Sequence, residues 1–182
     1  TVVGYIVKTG PVSEPIKLPG SILPMEETQI QAEVSGRVVS HSINEGAYVN
    51  KGALLVKLFD GDLQAQLKKL EVQLLIAEKT EERNKELLKI SGISQQDYDL
   101  SFLQVSNIKA DIELLRTNIV KTEIRAPFNG KIGFRNISNG AYITSATIIT
   151  SLRQVSQMKL QFSVPEKYTS KIRIGQSISF ST

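Results

Sequence analysis

One phrase is written twice in this chain. Residues 35–58 read SGRVVSHSINEGAYVNKGALLVKL, and residues 129–152 read NGKIGFRNISNGAYITSATIITSL. Superposed at a constant offset of 94, the copies match without a gap: Gly36 meets Gly130, Ile43 meets Ile137, Gly46-Ala47-Tyr48 meets Gly140-Ala141-Tyr142, and Leu58 meets Leu152. Substitutions keep their character, with Val38 opposite Ile132 and Leu54-Leu55 opposite Ile148-Ile149. An internal repeat restricts the fold more than any other feature of a sequence. Each copy reads as short strands punctuated by glycine, and Gly36, Gly46, Gly130 and Gly140 are expected at turns that need a left-handed or Cβ-free backbone. A single copy is too short to bury both sides of its sheet. Two copies related by a pseudo-dyad can cover each other, which predicts a small β-sandwich built from residues 29–59 and 123–154.

Between the copies the apolar period lengthens to that of a helix. Leu63, Leu67, Leu70, Leu74, Ala77, Glu81, Asn84 and Leu88 step by four and three, as do Tyr98, Ser101, Val105, Ile108, Ile112, Leu115, Ile119 and Thr122. Folding the chain back at Ser91-Gly92-Ile93 pairs Leu88 with Tyr98, Leu74 with Ile112 and Leu63 with Thr122. The two residue numbers of each pair sum to 185 or 186 along the whole seam. A constant sum is what an antiparallel two-helix coiled coil requires, here over residues 60–122 and about 45 Å long at ~1.5 Å per residue. Asp60 is expected to cap the first helix, Gly92 to end it, and Ser94 with Asp97 to form a capping box for the second. Glu81, Asn84 and Ser101 dilute the seam toward the bend, so the distal third is expected to be the more mobile part.

The two ends of the chain also read as β. Pro11, Pro15, Pro19 and Pro24 separate strand-like pieces at 16–18 and 21–23. Beyond the second copy Met158, Leu160, Phe162 and Val164 alternate, and Ile178 with Phe180 suggests a last strand. Residues 1–28 and 155–182 are therefore read as a partial β-barrel whose other strands lie outside this sequence. The fold class is mainly β with a long α-helical hairpin.

Composition excludes more than it proposes. Cysteine is absent and His41 is the one histidine, which removes thiol chemistry and leaves His41 no second His or Cys with which to share a metal. No glycine loop of the phosphate-cradling kind occurs. The net charge of +4 is spread over scattered lysines and arginines seldom interleaved with aromatics, which argues against nucleic acid as a partner. No apolar run approaches the ~18 residues of a membrane span. Glu71, Glu78, Glu86 and Glu113 lie near basic residues, as on the outside of a coiled coil. His41 aligns with Arg135 and reads as a solvated strand position. No catalytic residue, cofactor or metal is expected.

Three stretches carry a resemblance: GRVVSHSINEGAYVNKGALLVKLFD at 36–60, EIRAPFNGKIG at 123–133, and LQFSVPEKYTSKIRIGQSISF at 160–180. Together they resemble the periplasmic adaptor proteins, or membrane fusion proteins, of tripartite efflux pumps (the HlyD/AcrA/MexA-like family). The resemblance implies a split lipoyl/biotinyl-like sandwich interrupted by the hairpin, with a partial barrel and a membrane-proximal domain beyond this sequence. It also implies a protein that is not an enzyme. Such an adaptor links an inner-membrane RND-type transporter to an outer-membrane channel for export of drugs or other small molecules. A periplasmic location in a Gram-negative bacterium follows, with a lipid or N-terminal inner-membrane anchor outside this sequence and self-association, commonly into a hexameric ring.

Arg83, Leu87 and Ser94, spaced Arg-x3-Leu-x6-Ser, resemble the tip motif by which such adaptors dock on the channel. Asn84 and Leu88 belong to the seam, so Arg83 and Leu87, one position earlier and four apart, form a stripe beside it that need not be buried in the hairpin. The family more often has Asp where Asn129 stands and Gly where Ala146 stands. Other readings are an adaptor of the type I secretion or ABC class, whose hairpins tend to be longer, and a bare coiled-coil module, which leaves the repeat unexplained. A biotinyl or lipoyl carrier domain is the third; Lys57 lies near its modified position but is flanked by Val56 and Leu58 with no exposed turn after it.

Overall fold

Alternating apolar positions become strands at Gly20–Pro24 (β1), Glu27–Gln31 (β2), Gly36–His41 (β3), Tyr48–Val49 (β4) and Leu54–Leu58 (β5). The heptad-spaced stretches become helices at Gly61–Lys89 (α1) and Gln95–Lys121 (α2). Strands resume at Glu123–Arg125 (β6), Gly130–Ile132 (β7), Tyr142–Ile143 (β8), Ile148–Arg153 (β9) and Met158–Phe162 (β10), before a 3-10 turn at Glu166–Lys171. This computed structural model describes Gly4 and residues 16–181; Pro11, Pro15 and the part of the expected barrel before residue 16 other than Gly4 lie outside the described residues. The chain divides into two compact units, one spanning Met25–Gln157 and the other formed by the stretches up to Pro24 and from Met158.

The larger unit holds two four-stranded sheets, in the orders β2-β9-β7-β4 and β6-β5-β3-β8. The offset of 94 carries β2, β3, β4 and β5 onto β6, β7, β8 and β9, and so exchanges the two sheets. The copies therefore do not form one sheet each, as a simple covering of one by the other would suggest; each sheet takes strands from both. Backbone bonds repeat the symmetry. Val38 N–H donates to Ala141 O at 2.8 Å and Gly140 N–H to Val38 O at 2.9 Å, while their mates Ile132 to Ala47 O and Gly46 to Ile132 O measure 2.9 and 3.0 Å. The ladder starts at Glu27, opposite Arg153, with Thr28 opposite Leu152.

The core obeys the same relation. Ile30 and Ile124, Ala32 and Ala126, Val38 and Ile132, Ile43 and Ile137, Leu55 and Ile149, and Leu58 and Leu152 are all buried as mates. At ~1.5–3 kcal/mol for each fully buried large side chain, this cluster is the main force holding the sheets together. One pair breaks the chemistry. Val56 and Thr150 are both 0% exposed, and the Thr150 hydroxyl has only a 3.4 Å contact to the Ser151 carbonyl. Thr150→Val, which copies the first half into the second, should raise stability by about 1 kcal/mol, read as a higher denaturation midpoint.

The glycines divide into two kinds. Gly46 and Gly140 sit in turns with φ of 73° and 83°, the left-handed region that glycine enters without penalty. Gly36 and Gly130, expected at turns, are instead strand residues of β3 and β7, and only at Gly130 is the missing Cβ required. A Cβ on Gly130 would lie 2.6 Å from the Arg153 carbonyl oxygen, whereas one on Gly36 would meet only the Leu58 side chain at 3.4 Å. Gly52 is also left-handed, at φ 82°, while its mate Ala146 is not. Both turns close with the same backbone bond, Ala53 N–H to Asn50 O at 3.1 Å and Thr147 N–H to Thr144 O at 3.0 Å, and the second adds Thr144 N–H donating to the Thr147 hydroxyl at 3.1 Å. Asn129 supplies what an Asp would: its Oδ1 accepts the Lys51 backbone N–H at 2.7 Å.

The smaller unit pairs β1 with β10 antiparallel, Gly20 opposite Phe162 and Pro24 opposite Met158. Leu160 and Phe162 line an open groove of about 830 Å³ of mixed character, with Ile16, Ile22 and Phe180 beside Lys17 and Ser179. The piece at 16–18 and the expected last strand around Ile178 and Phe180 are not strands, because neither finds a ladder partner among the described residues.

Candidate docking site at the hairpin tip

Every residue of the predicted seam is buried or half-buried, from Leu63 to Leu88 on α1 and from Tyr98 to Thr122 beyond the end of α2. Flanking ion pairs fix the antiparallel register. Lys109 bonds Glu78 at 2.9 Å and Arg116 lies 3.6 Å from Glu71, and in both pairs the residue numbers add to 187, beside the 185 or 186 of the seam. The polar seam residues are not idle. Ser101 is 9% exposed and turns its hydroxyl back to the Tyr98 carbonyl at 2.7 Å, while the Tyr98 hydroxyl crosses the seam to Glu81 at 2.9 Å. That hydrogen bond to Glu81, helped by partial burial, holds the Tyr98 phenol above its ordinary pKa.

The bend is built by two caps. Ser94 accepts the Asp97 N–H at 3.2 Å and Asp97 accepts the Ser94 N–H at 3.3 Å, which completes the expected capping box. At the end of α1, Gly92 N–H donates to Leu87 O at 2.7 Å and Ser91 N–H to Leu88 O at 3.0 Å, the paired bonds of a Schellman closure. The left-handed residue of this closure is Ser91, at φ 57°, not Gly92 as expected. Gly92 serves by close approach, since a Cβ there would stand 3.3 Å from Leu87 O and 3.5 Å from Leu87 Cδ2. Asp60 likewise occupies the N-cap of α1 without capping it; its carboxylate is taken by the Lys57 ammonium at 2.8 Å and the Gln64 amide at 3.0 Å.

Arg83 is exposed and makes no hydrogen bond or ion pair among the described residues, Leu87 beside it is half-buried, and Ser94 is exposed with its hydroxyl engaged by Asp97 at 2.6 Å. Arg83 and Leu87 share one stripe of α1, and Ser94 opens α2 across the bend. Sequence reasoning missed Ile90, the C-cap residue, which is 74% exposed. Its signal was available: it stands two positions past the last seam leucine, outside the heptad. A cation, a half-buried leucine and a bare isoleucine at the end of a rod suit insertion beside another helix, with apolar side chains filling a groove and the guanidinium meeting a carboxylate or carbonyl.

Other candidates offer less. His41 is half-buried in β3, and its Nδ1 is shielded from solvent without a partner, so it is not a freely solvated position. Among the described residues no group of His, Cys, Asp or Glu side chains could hold a metal ion, and no helix is long and apolar enough to cross a membrane. Lys57, which lies near the position a carrier domain would modify, has its Nζ bonded to Asp60, Glu123 and Thr122 at 2.8, 3.1 and 3.3 Å. That amine is not presented for acylation.

A duplicated, interleaved sandwich opened by a helical stalk defines a barrel-sandwich hybrid with an inserted hairpin. The sequence model described as "RND MFP, barrel-sandwich hybrid domain" matches residues 26–152, and the chain belongs to this family of RND membrane fusion proteins. Among relatives, the multidrug export protein AcrE of Escherichia coli K12 is 30% identical over 189 residues, covering 96% of this chain and 49% of AcrE. The solvent efflux pump periplasmic linker SrpA of Pseudomonas putida is 28% identical over 154 residues, covering 85% of this chain and 40% of its own. A crystal structure of a MacA-MexA chimera carrying the Pseudomonas aeruginosa MexA α-hairpin superposes with a TM-score of 0.77 at 24% identity, covering 85% of this chain and 56% of the chimera, and shows the shared fold. The chain spans about half the length of the curated relatives it matches.

Proposed function

We propose that this protein is a periplasmic adaptor, not an enzyme, that links an inner-membrane RND-type transporter to an outer-membrane channel for the export of drugs or other small molecules. The observation that carries the reading is the hairpin end, where Arg83 has no partner among the described residues and Ile90 lies bare next to half-buried Leu87. Relatives named as a multidrug export protein and a solvent efflux pump linker support the substrate class and the periplasmic location in a Gram-negative cell. The transporter would be met by the barrel and the membrane-proximal domain, and an inner-membrane anchor would come from outside this sequence.

Self-association into a ring, commonly hexameric in the resemblance, is supported by two unlike outer faces of the stalk. On α1, Lys68, Lys69 and Lys79 surround exposed Val72, Leu75 and Ile76; on α2, Asp99 and Glu113 accompany exposed Leu100, Leu103 and Leu114. Two different exposed apolar faces on one stalk can meet head to tail between copies, a contact that closes into a ring when the rotation permits.

The test uses the absence of cysteine from these 182 residues, with any cysteine elsewhere in the protein replaced by serine. Arg83→Cys in the full-length protein, labelled with a thiol-reactive photocrosslinker in its own host, should yield an adduct with an outer-membrane channel. Thr144→Cys, in a turn of the sandwich, should not. Equal adducts from both positions, or a tip adduct with the transporter alone, would overturn the reading.

A further inference from the structure

The stalk is long, and little of the sandwich touches it. Among the described residues α1 makes no substantial packing against any strand, and the one strand that packs appreciably against α2 is β6, which follows it directly. A swing of 10° at the base of a ~45 Å rod moves its tip by roughly 8 Å, so the direction of the stalk is decided by a few side chains at its root. Those side chains form one network. The Lys57 ammonium, on β5, reaches Asp60 Oδ2 at 2.8 Å before α1, and Glu123 Oε1 at 3.1 Å and Thr122 Oγ1 at 3.3 Å after α2. Gln64, in the first turns of α1, donates to the same Asp60 oxygen at 3.0 Å. Arg125 clasps the other Glu123 oxygen at 2.8 Å and the Gly52 carbonyl at 2.8 Å. From β3, Ser40 lies opposite Lys57 in the ladder, and Arg37 stacks 5.2 Å from the Phe59 ring centroid.

We infer that the Lys57, Asp60 and Glu123 cluster is a hinge lock, an ionic clasp spanning both chain crossings that fixes the direction in which the stalk leaves the sandwich. Its place beside the pivot is the reason. Gly61 opens α1 and is overlain by the Phe59 ring, which a Cβ at that position would approach to 2.7 Å. The backbone between β5 and α1 is thus narrow; Phe59 N–H ties its sandwich side to the Arg37 carbonyl at 2.8 Å, and beyond that bond one ammonium shared by two carboxylates spans the crossing. The side chains of Lys57, Asp60 and Glu123 are 21%, 17% and 29% exposed, sheltered enough for the charges to matter and open enough for release without unfolding.

The direction of each titration sets the working range. Burial disfavours the charged forms of Lys57 and Asp60, but the hydrogen bonds and opposite charges outweigh it. Lys57 is held above its ordinary pKa and Asp60 below, while Arg125 first and Lys57 second hold Glu123 below. Depressed carboxylates contribute stability above their unfolded values and lose it as pH falls through their folded ones. A raised lysine contributes below its unfolded value and loses it as pH rises through the folded one. The clasp should therefore stay shut in mild acid and open only below the ordinary carboxylate value of about 4.

Spin labels at Glu82→Cys on the stalk and Ser145→Cys on the sandwich, in the full-length protein, measure the swing as the width of a distance distribution. Lys57→Met should broaden it about twofold. The uncharged near-isosteric pair Asp60→Asn with Glu123→Gln should do the same, and it decides the question if Lys57→Met unfolds. Lys109→Met, which removes a mid-stalk ion pair, should leave the width unchanged, as should a change from pH 7 to pH 5. An unaltered width in the double variant, equal broadening by Lys109→Met, or broadening already at pH 5 would each overturn the lock.

Discussion

Gly130→Ala is expected to lower the thermal transition of the protein by roughly 6–12 °C, equivalent to about 3 kcal/mol in a chain of this size. The added methyl group would stand 2.6 Å from the Arg153 carbonyl oxygen, 3.0 Å from its carbon and 3.3 Å from Leu152 Cδ1. Two of those atoms are backbone, so no rotamer change relieves the overlap. β7 and β9 must separate where Lys131 faces Arg153, and the Leu152 side chain, 0% exposed, must follow. The dyad mate supplies the control. A methyl group on Gly36 meets only Leu58 carbons at ordinary van der Waals distance, so Gly36→Ala should cost less than about 1 kcal/mol. Equal effects at the two positions, read by circular dichroism melts of both variants, would show that the close approach of β9 to Gly130 is not a stability determinant.

Leu87→Asp is expected to abolish channel docking and return the host to the drug sensitivity of a strain lacking the adaptor. An apolar anchor at the centre of a contact is commonly worth 2 kcal/mol or more, roughly thirtyfold in affinity, and a carboxylate pressed into the same groove adds a desolvation cost. Half-burial of Leu87 in its own hairpin adds a stability loss of about 1 kcal/mol. The companion Arg83→Glu separates the two effects. Its position is exposed and unpaired among the described residues, so it should weaken docking with an unchanged melting temperature. Normal drug resistance in Arg83→Glu and Leu87→Asp cells, at normal protein levels, would move the docking surface elsewhere.

The stalk is legible in the sequence because side-chain period and helix caps are local information. Leu63 through Thr122 declare the seam by spacing, and Ser94 with Asp97 declares the start of α2. The repeat likewise reveals which residues share an environment, and Val38 with Ile132 or Leu58 with Leu152 are buried as mates. It does not reveal which strands are neighbours, since β9 can lie beside β2 only through ladder bonds between residues far apart in the chain. The same limit hid the root clasp: nothing about Lys57 in sequence points to Glu123, its partner in the β5–β6 ladder. Residue type alone does not separate a turn glycine from one that makes room for a neighbour, so Gly36 and Gly130 look like turn residues in sequence although Gly130 is needed for the space beside Arg153. At the bend, the presence of Gly92 drew attention from Ser91, which adopts the left-handed conformation at some cost because the Schellman bonds to Leu87 and Leu88 determine it.

The interleaving of the copies bears on how such a chain is made. Among the described residues β2 and β4 have β9 and β7 as their ladder partners, so two strands synthesised early must wait for strands of the second copy to emerge from the ribosome. α1 and α2 face no such delay, because their contacts are close in sequence and helical pairs form quickly. Once zipped, they deliver β6 to the side of β5 and shorten the loop that the remaining closure must span. The stalk thus acts as a splint for the nascent polypeptide, and variants that slow its zipping should leave β2 and β4 as bare edges for longer, the condition in which newborn β proteins aggregate.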